Sequence, residues 1–300
     1  MYQNMKDILN ITKEKNIPIY RLVLDNEIRV TEKEERWIWE ELKKRYEVMK
    51  EAASKALYQE GSTVGNLISG ITKNQYEYTL KENTVCGTFI NKVMARALSC
   101  SEVNASMGKI CAAPTAGACG ILPAVLITLE EEKKLPEPMV LEGLLVASGI
   151  GAIIMKNATV SGAEGGCQAE CGVAAAMAAA AVTYLSQGDN EMIMNSVAFA
   201  LMNCMGLVCD PVAGLVQVPC AQRNASQAVN GLLSADLALA GMKSVIPPDQ
   251  VVDAMYKVGK MLPLPLKETA MGGIANTPKG KQIAKEIFES EGINQEGEIL

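Results

Sequence analysis

Cys171-Gly-Val-Ala-Ala-Ala-Met-Ala-Ala-Ala-Ala-Val-Thr-Tyr-Leu-Ser-Gln-Gly188 runs for 18 residues without a charge and holds seven alanines. Alanine is the strongest helix former. A helix that is apolar on every side belongs inside a core or a bilayer. Two further uncharged runs, Ile110–Leu129 and Met192–Cys209, have similar lengths, and about 20 residues suffice to span a membrane. The first contains Pro114, Pro123 and several glycines. None has flanking Trp/Tyr belts or a positive loop bias, and both tryptophans, Trp37 and Trp39, sit in the most charged helix. The sequence therefore predicts buried helices of a large core, with no membrane partner.

Outward from this stretch, helices are expected over 87–99, 140–156, 168–186, 190–207 and 225–241, with Asp189/Asn190 and Asn224 as N-caps. Pro247-Pro248-Asp249 starts another that stops at Leu262-Pro263, and a last short one near 279–289 leads to a polar tail. Thr31 and Glu34 read as a capping box opening a charged helix over 31–60. Gly61 to Lys81 reads as a loop. Strand signals are weak. The expectation is an all-α fold in one domain over 1–300. It comprises a polar N-terminal helical arm (1–60) and a core (85–277) with Gly/Pro-rich loops around a buried site.

Charge and composition narrow the chemistry. The 300 residues carry 28 Lys+Arg against 34 Asp+Glu, a net −6, so nucleic acid is not an expected partner. Histidine is absent. That excludes intrachain Ser-His and Cys-His pairs, His bases and His-ligated metals. All nine cysteines fall between residues 86 and 220. An odd number, without a signal-like N-terminus, points to reduced thiols and a cytoplasmic location.

Three Gly/Pro-rich segments interrupt the helices, and each contains cysteine. They are Lys109–Gly120, Ser161–Glu170 and Cys209–Cys220. Gly and Pro place these segments at helix ends, where free N–H groups favour anions. Cys86, Cys100, Cys171 and Cys204 read as helical packing residues, and Cys111 and Cys119 as structural loop thiols. Cys167, Cys209 and Cys220 each abut a Gly or Pro break and face a loop cavity. Three thiolates suit zinc, copper(I) or an iron–sulfur cluster. No C-x2-C pairing or compact ferredoxin spacing occurs, so spacing alone leaves the metal open.

Four segments carry a resemblance: Asn104–Gly117, Ser161–Gly172, Cys209–Cys220 and Leu266–Gly273. In order and over most of the chain they resemble the α subunit of iron–sulfur-dependent bacterial L-serine dehydratases. That resemblance implies an all-helical fold and a [4Fe-4S] cluster on Cys167, Cys209 and Cys220. It also implies β-elimination of water from L-serine, giving pyruvate and ammonia, with an open iron as Lewis acid on the β-hydroxyl. Ser69–Gln75 lacks the family's usual Gly-Gly-Asp, and no Gly-Pro-Ser-Ser-Ser-His-Thr segment or C-terminal cysteine is present. The expected partner is a separate β subunit in a hetero-oligomer.

Beyond the cluster, Lys156 and Lys109 are the candidate bases. Arg223 is the candidate carboxylate anchor, and Ser161 and Thr115 are candidate hydrogen-bonding residues. Threonine or cysteine as substrate stays open. Pyridoxal phosphate chemistry would need a Schiff-base lysine and a Gly-rich phosphate cup. A non-catalytic iron–sulfur scaffold is the remaining alternative.

Overall fold

The computed structural model describes residues 2–290; the polar tail expected at the C-terminus lies outside the described residues. Thirteen α-helices are present among them. They are α1 (Met5–Lys15), α2 (Ile19–Thr31), α3 (Glu35–Tyr58), α4 (Ile71–Thr79), α5 (Gly87–Ala105), α6 (Ile121–Lys133), α7 (Glu137–Asn157), the single turn α8 (Gly162–Gly165), α9 (Val173–Leu185), α10 (Asn190–Asn203), α11 (Cys220–Leu239), α12 (Pro248–Met261) and α13 (Pro278–Ser290). Extended pairing among the described residues is limited to one isolated parallel bridge between Cys209 and Lys267. The fold is all-α.

Helix α9 is the axis of the molecule. It packs against α6, α7, α10 and α11, and every residue but Tyr184 is buried. Its alanines let neighbouring backbones approach closely. A Cβ on Gly231 of α11 would lie 3.1 Å from the Ala178 methyl and 3.2 Å from the Ala175 carbonyl oxygen. Two stretches are long and apolar enough to cross a membrane, Glu137–Asn157 and Gln168–Leu185, and they are 67% and 89% buried within the fold. Their apolar surface is thus covered by other helices.

The first sixty residues contribute Met5, Ile8, Ile19, Leu24, Tyr46 and Met49 to the same hydrophobic core as α5–α11. Their outer face is charged. Glu137 of α7 takes Lys43 at 2.7 Å and Lys50 at 2.9 Å, and the Tyr46 hydroxyl donates to Glu130 at 2.6 Å.

Four expectations are corrected. Thr31 closes α2 rather than opening α3: its hydroxyl donates back to the Glu27 carbonyl, and Glu34 caps without a side-chain bond. The 61–81 loop contains helix α4, whose polar sequence hides its packing against α5. Helix α6 forms despite Pro123, which falls in the first turn, where its missing N–H costs nothing. Asn224 is not an N-cap but lies inside α11. From there it bonds the Gly120 N–H (2.9 Å) and the Gly117 carbonyl (2.7 Å), tying α11 to the 115–120 loop. Asp189 does cap α10, accepting from the Met192 N–H.

Candidate functional site

Three loop segments meet at one cavity of about 190 Å³, lined by Thr115, Glu170, Cys167, Cys171, Cys209, Cys220, Arg223 and Glu268 among others. Cys167 and Cys209 are both 4% exposed and Cys220 is half-buried. The three thiols singled out in the sequence therefore share one space.

Local geometry explains how. After α8, Gly166 turns the chain at φ 78°, and Gln168–Gly172 form a π-helical turn leading into α9. Cys167, Glu170 and Cys171 are spaced i, i+3, i+4 and so share a face. Cys220 is the first residue of α11, and Arg223 lies one turn along it. Cys209 is held by the 264–276 segment: its N–H donates to the Leu266 carbonyl (2.9 Å) and its carbonyl accepts the Glu268 N–H (2.8 Å). Gly162 completes the wall. A Cβ there would come within 2.4 Å of Glu170 Oε2 and 3.1 Å of Cys209 Sγ.

The polar groups are interlinked. Thr115 Oγ1 donates to Glu170 Oε1 at 2.9 Å, and the Cys209 thiol lies 3.8 Å from Oε2. Ligand atoms of Glu170, Cys209 and Glu268 all lie within 4.8 Å of one another. Arg223 donates through Nη1 to the Val208 carbonyl (2.8 Å) and places Nη2 2.7 Å from Asp210 Oδ1. Nη1 is engaged in a hydrogen bond and Nη2 in a charge contact, and the other N–H donors stay available.

Burial controls the protonation states. It holds the Glu170 carboxyl above the usual range, opposed by the Thr115 hydroxyl. It pushes the Cys220 thiol up to about 12, and it raises Cys209 together with the Glu170 charge. Cys167 is lowered by a hydrogen bond from the Cys171 thiol, against burial and with help from Arg223. Burial works against the Arg223 charge, but Cys167 and Asp210 outweigh it and its pKa is raised. Three thiols in this space cannot all ionise on the strength of one arginine; a multivalent metal core would supply the missing positive charge. Soft sulfur donors, a glycine-lined wall and charge demand together fit an iron–sulfur cluster.

Other sequence candidates divide. Thr115 and Arg223 reach the cavity. Lys156 is exposed on α7 with its ammonium on Gln3 Oε1, and Lys109 is exposed in its loop; neither is among the lining residues. Ser161 sits at the N-terminal end of α8, with no side-chain cap bond and outside the lining. Cys86 is exposed at the start of α5 rather than packed. Cys171 does more than pack, because its thiol lines the cavity beside Cys167. Glu170 and Glu268 were missed. Glu170's i+3 spacing from Cys167 was a usable signal; the approach of Glu268 was not visible.

Over residues 14–275 the sequence matches the family described as Serine dehydratase alpha chain. An L-serine dehydratase alpha chain from Peptoniphilus asaccharolyticus is 45% identical over 289 residues, 96% of this chain and 99% of its own. A probable L-serine dehydratase alpha chain from Bacillus subtilis is 42% identical over 288 residues, 96% of each chain. L-serine dehydratase 2 of Escherichia coli is 34% identical over 280 residues, 91% of this chain but 61% of its own.

Proposed function

The chain belongs to the serine dehydratase alpha-chain family, and from that premise we propose that it is the cluster-binding subunit of an L-serine dehydratase. Serine dehydration, a lyase reaction, is the activity the family carries. The observation that carries the finer reading is the meeting of Cys167, Cys209 and Cys220 in one cavity with Arg223 and two carboxylates. These three cysteines would hold a [4Fe-4S] cluster. When bound with one iron free of protein thiolate, it supplies a Lewis acid for the departing β-hydroxyl.

The chain's own residues do the rest. Arg223, at the start of α11, offers its remaining N–H donors to the substrate carboxylate, and the positive end of the helix adds to the attraction. Thr115 orients Glu170 through the bond to Oε1. Among the described residues, Glu170 and Glu268 are the carboxylates that reach the cavity, and so the groups here able to accept the α-proton. Lys156 and Lys109 stand outside that role. Among the described residues no lysine lines the cavity, which removes the Schiff-base residue that pyridoxal phosphate chemistry needs.

A separate β subunit completes the site in this proposal. Its support is that the relatives matched over almost their whole length are named alpha chains, whereas the Escherichia coli enzyme is a longer polypeptide. Nine unpaired cysteines suit a reducing cytoplasm. The test is anaerobic reconstitution, counting iron and sulfide per chain, then L-serine turnover with and without a co-produced β subunit. About four iron and four sulfide, and turnover that depends on the second chain, are expected. Absence of iron binding refutes the cluster, and equal rates in the two cases refute the dependence. L-threonine and L-cysteine as alternative substrates settle the preference.

A further inference from the structure

Asp210 follows Cys209 and is only 2% exposed, yet it carries a carboxylate with two unrelated neighbours. Oδ2 accepts the Ile274 N–H at 2.7 Å. Oδ1 lies 2.7 Å from Arg223 Nη2, a charge contact without the alignment of a good hydrogen bond. One buried side chain thus joins the Cys209–Cys220 loop, the guanidinium at the cavity and the segment around Glu268.

Within itself that segment is tied by exposed bonds of Thr269, whose hydroxyl donates to the Leu264 carbonyl and accepts the Met271 N–H. Glu268 and Ala270 both sit at positive φ, 62° and 55°, a conformation that is strained for a non-glycine residue and persists only where surroundings enforce it. The two backbone bonds to Cys209 enforce one end, and the Asp210–Ile274 bond enforces the other. Gly273, at φ 58°, leaves room for the carboxylate: a Cβ there would fall 2.1 Å from Oδ2. Gly273 is therefore the place where this strap meets Asp210.

We propose that Asp210 is a positioning residue that fixes Arg223 and the 264–276 strap in register against the Cys209–Cys220 loop, so that Arg223 and Glu268 face one cavity. Its effect on serine rests on the reading of that cavity as the substrate site; its effect on the strap does not. Three variants separate the two halves. Asp210→Asn keeps an acceptor for Ile274 but removes the charge that holds Arg223. Gly273→Ala sets a methyl against the Asp210 carboxylate, 2.1 Å from Oδ2, and so forces the strap and Asp210 apart while keeping the Asp210 charge. Asp210→Ala does both.

The full chain is prepared anaerobically with its iron and, for kinetics, with the β subunit. Hydrogen exchange at the 273–276 amides should accelerate about tenfold or more in Gly273→Ala and Asp210→Ala. In Asp210→Asn the KM for L-serine should rise about tenfold with kcat much less changed, the signature of lost ground-state positioning. Iron content should stay at the wild-type level in all three. Unchanged exchange at Ile274 overturns the latch whether or not serine is the substrate. Unchanged KM in iron-replete Asp210→Asn overturns the Arg223 half. If the wild-type assembly turns over no serine, the proposed function fails, and the exchange measurement still decides the latch.

Discussion

Replacing Glu102 with alanine should cost about 4 kcal/mol of folding stability. Glu102 lies on α5 and is fully buried, and its carboxylate is satisfied by backbone donors from the 61–72 segment. Oε1 accepts the Gly61 N–H at 2.9 Å and the Gly70 N–H at 3.1 Å, and Oε2 accepts the Thr72 N–H at 3.3 Å. The bonds from Gly70 and Thr72 are buried, whereas Gly61 borders a cavity of about 250 Å³ that water can enter. Alanine therefore strands two buried donors, each costing about 1–3 kcal/mol, or about 2–6 in total. Against a typical stability of about 5–15 kcal/mol this is a severe loss. Glutamine keeps one acceptor oxygen but turns an NH2 toward the Thr72 N–H, and should cost about 1–3 kcal/mol. Urea unfolding with an unchanged slope is the assay. A loss below about 1 kcal/mol in Glu102→Ala would refute the reasoning, because the buried donors would then have found other partners. The consequence reaches the cavity: Val64, in the pinned segment, accepts Gln217 Nε2 from the Cys209–Cys220 loop at 3.0 Å.

Cys167→Ala, Cys209→Ala or Cys220→Ala should each abolish iron binding, and full retention of iron in any one removes that residue from the ligand set. Cys204→Ala should keep the cluster and cost about 1 kcal/mol of packing; iron loss there would contradict its burial against α10 carbonyls. Activity should decay in air and return with ferrous iron and thiol, whereas indefinite stability in air argues against an iron lacking a protein thiolate. Asn224→Ala breaks bonds to Gly117, Gly120 and Cys220; a loss of about 2–3 kcal/mol is expected on unfolding, and a neutral result would mean the 115–120 loop is held otherwise. The Glu137 carboxyl is held below the usual range by hydrogen bonds from Lys43 and Lys50. Its lowered folded pKa contributes stability present above the unfolded value and lost as the pH falls through the folded one. Glu137→Gln should thus flatten the acid limb of the stability profile, and an identical limb would discount these pairs.

Much of this protein is legible along the chain because helices are local. The alanine run of α9, the Asp189 cap and the Pro248 start of α12 each state their structure within a few residues. Gly and Pro breaks likewise separated Cys167, Cys209 and Cys220 from thiols inside helices, and those three do line one cavity. Polar local signals misled where tertiary packing competed. Thr31 looks like a cap, yet its hydroxyl satisfies the helix behind it. Asn224 looks like another, yet it spans to a loop more than a hundred residues away. Glu268 was beyond local reach for the same reason. Glu268 enters the cavity through backbone bonds to Cys209, and Arg223 finds Asp210 across the start of α11. The sequence by itself determined the helices and which thiols stand at their ends. Tertiary contact alone brings in Glu268, pairs Arg223 with Asp210 and gathers the three loops, because those contacts depend on chain crossings that no local spacing encodes.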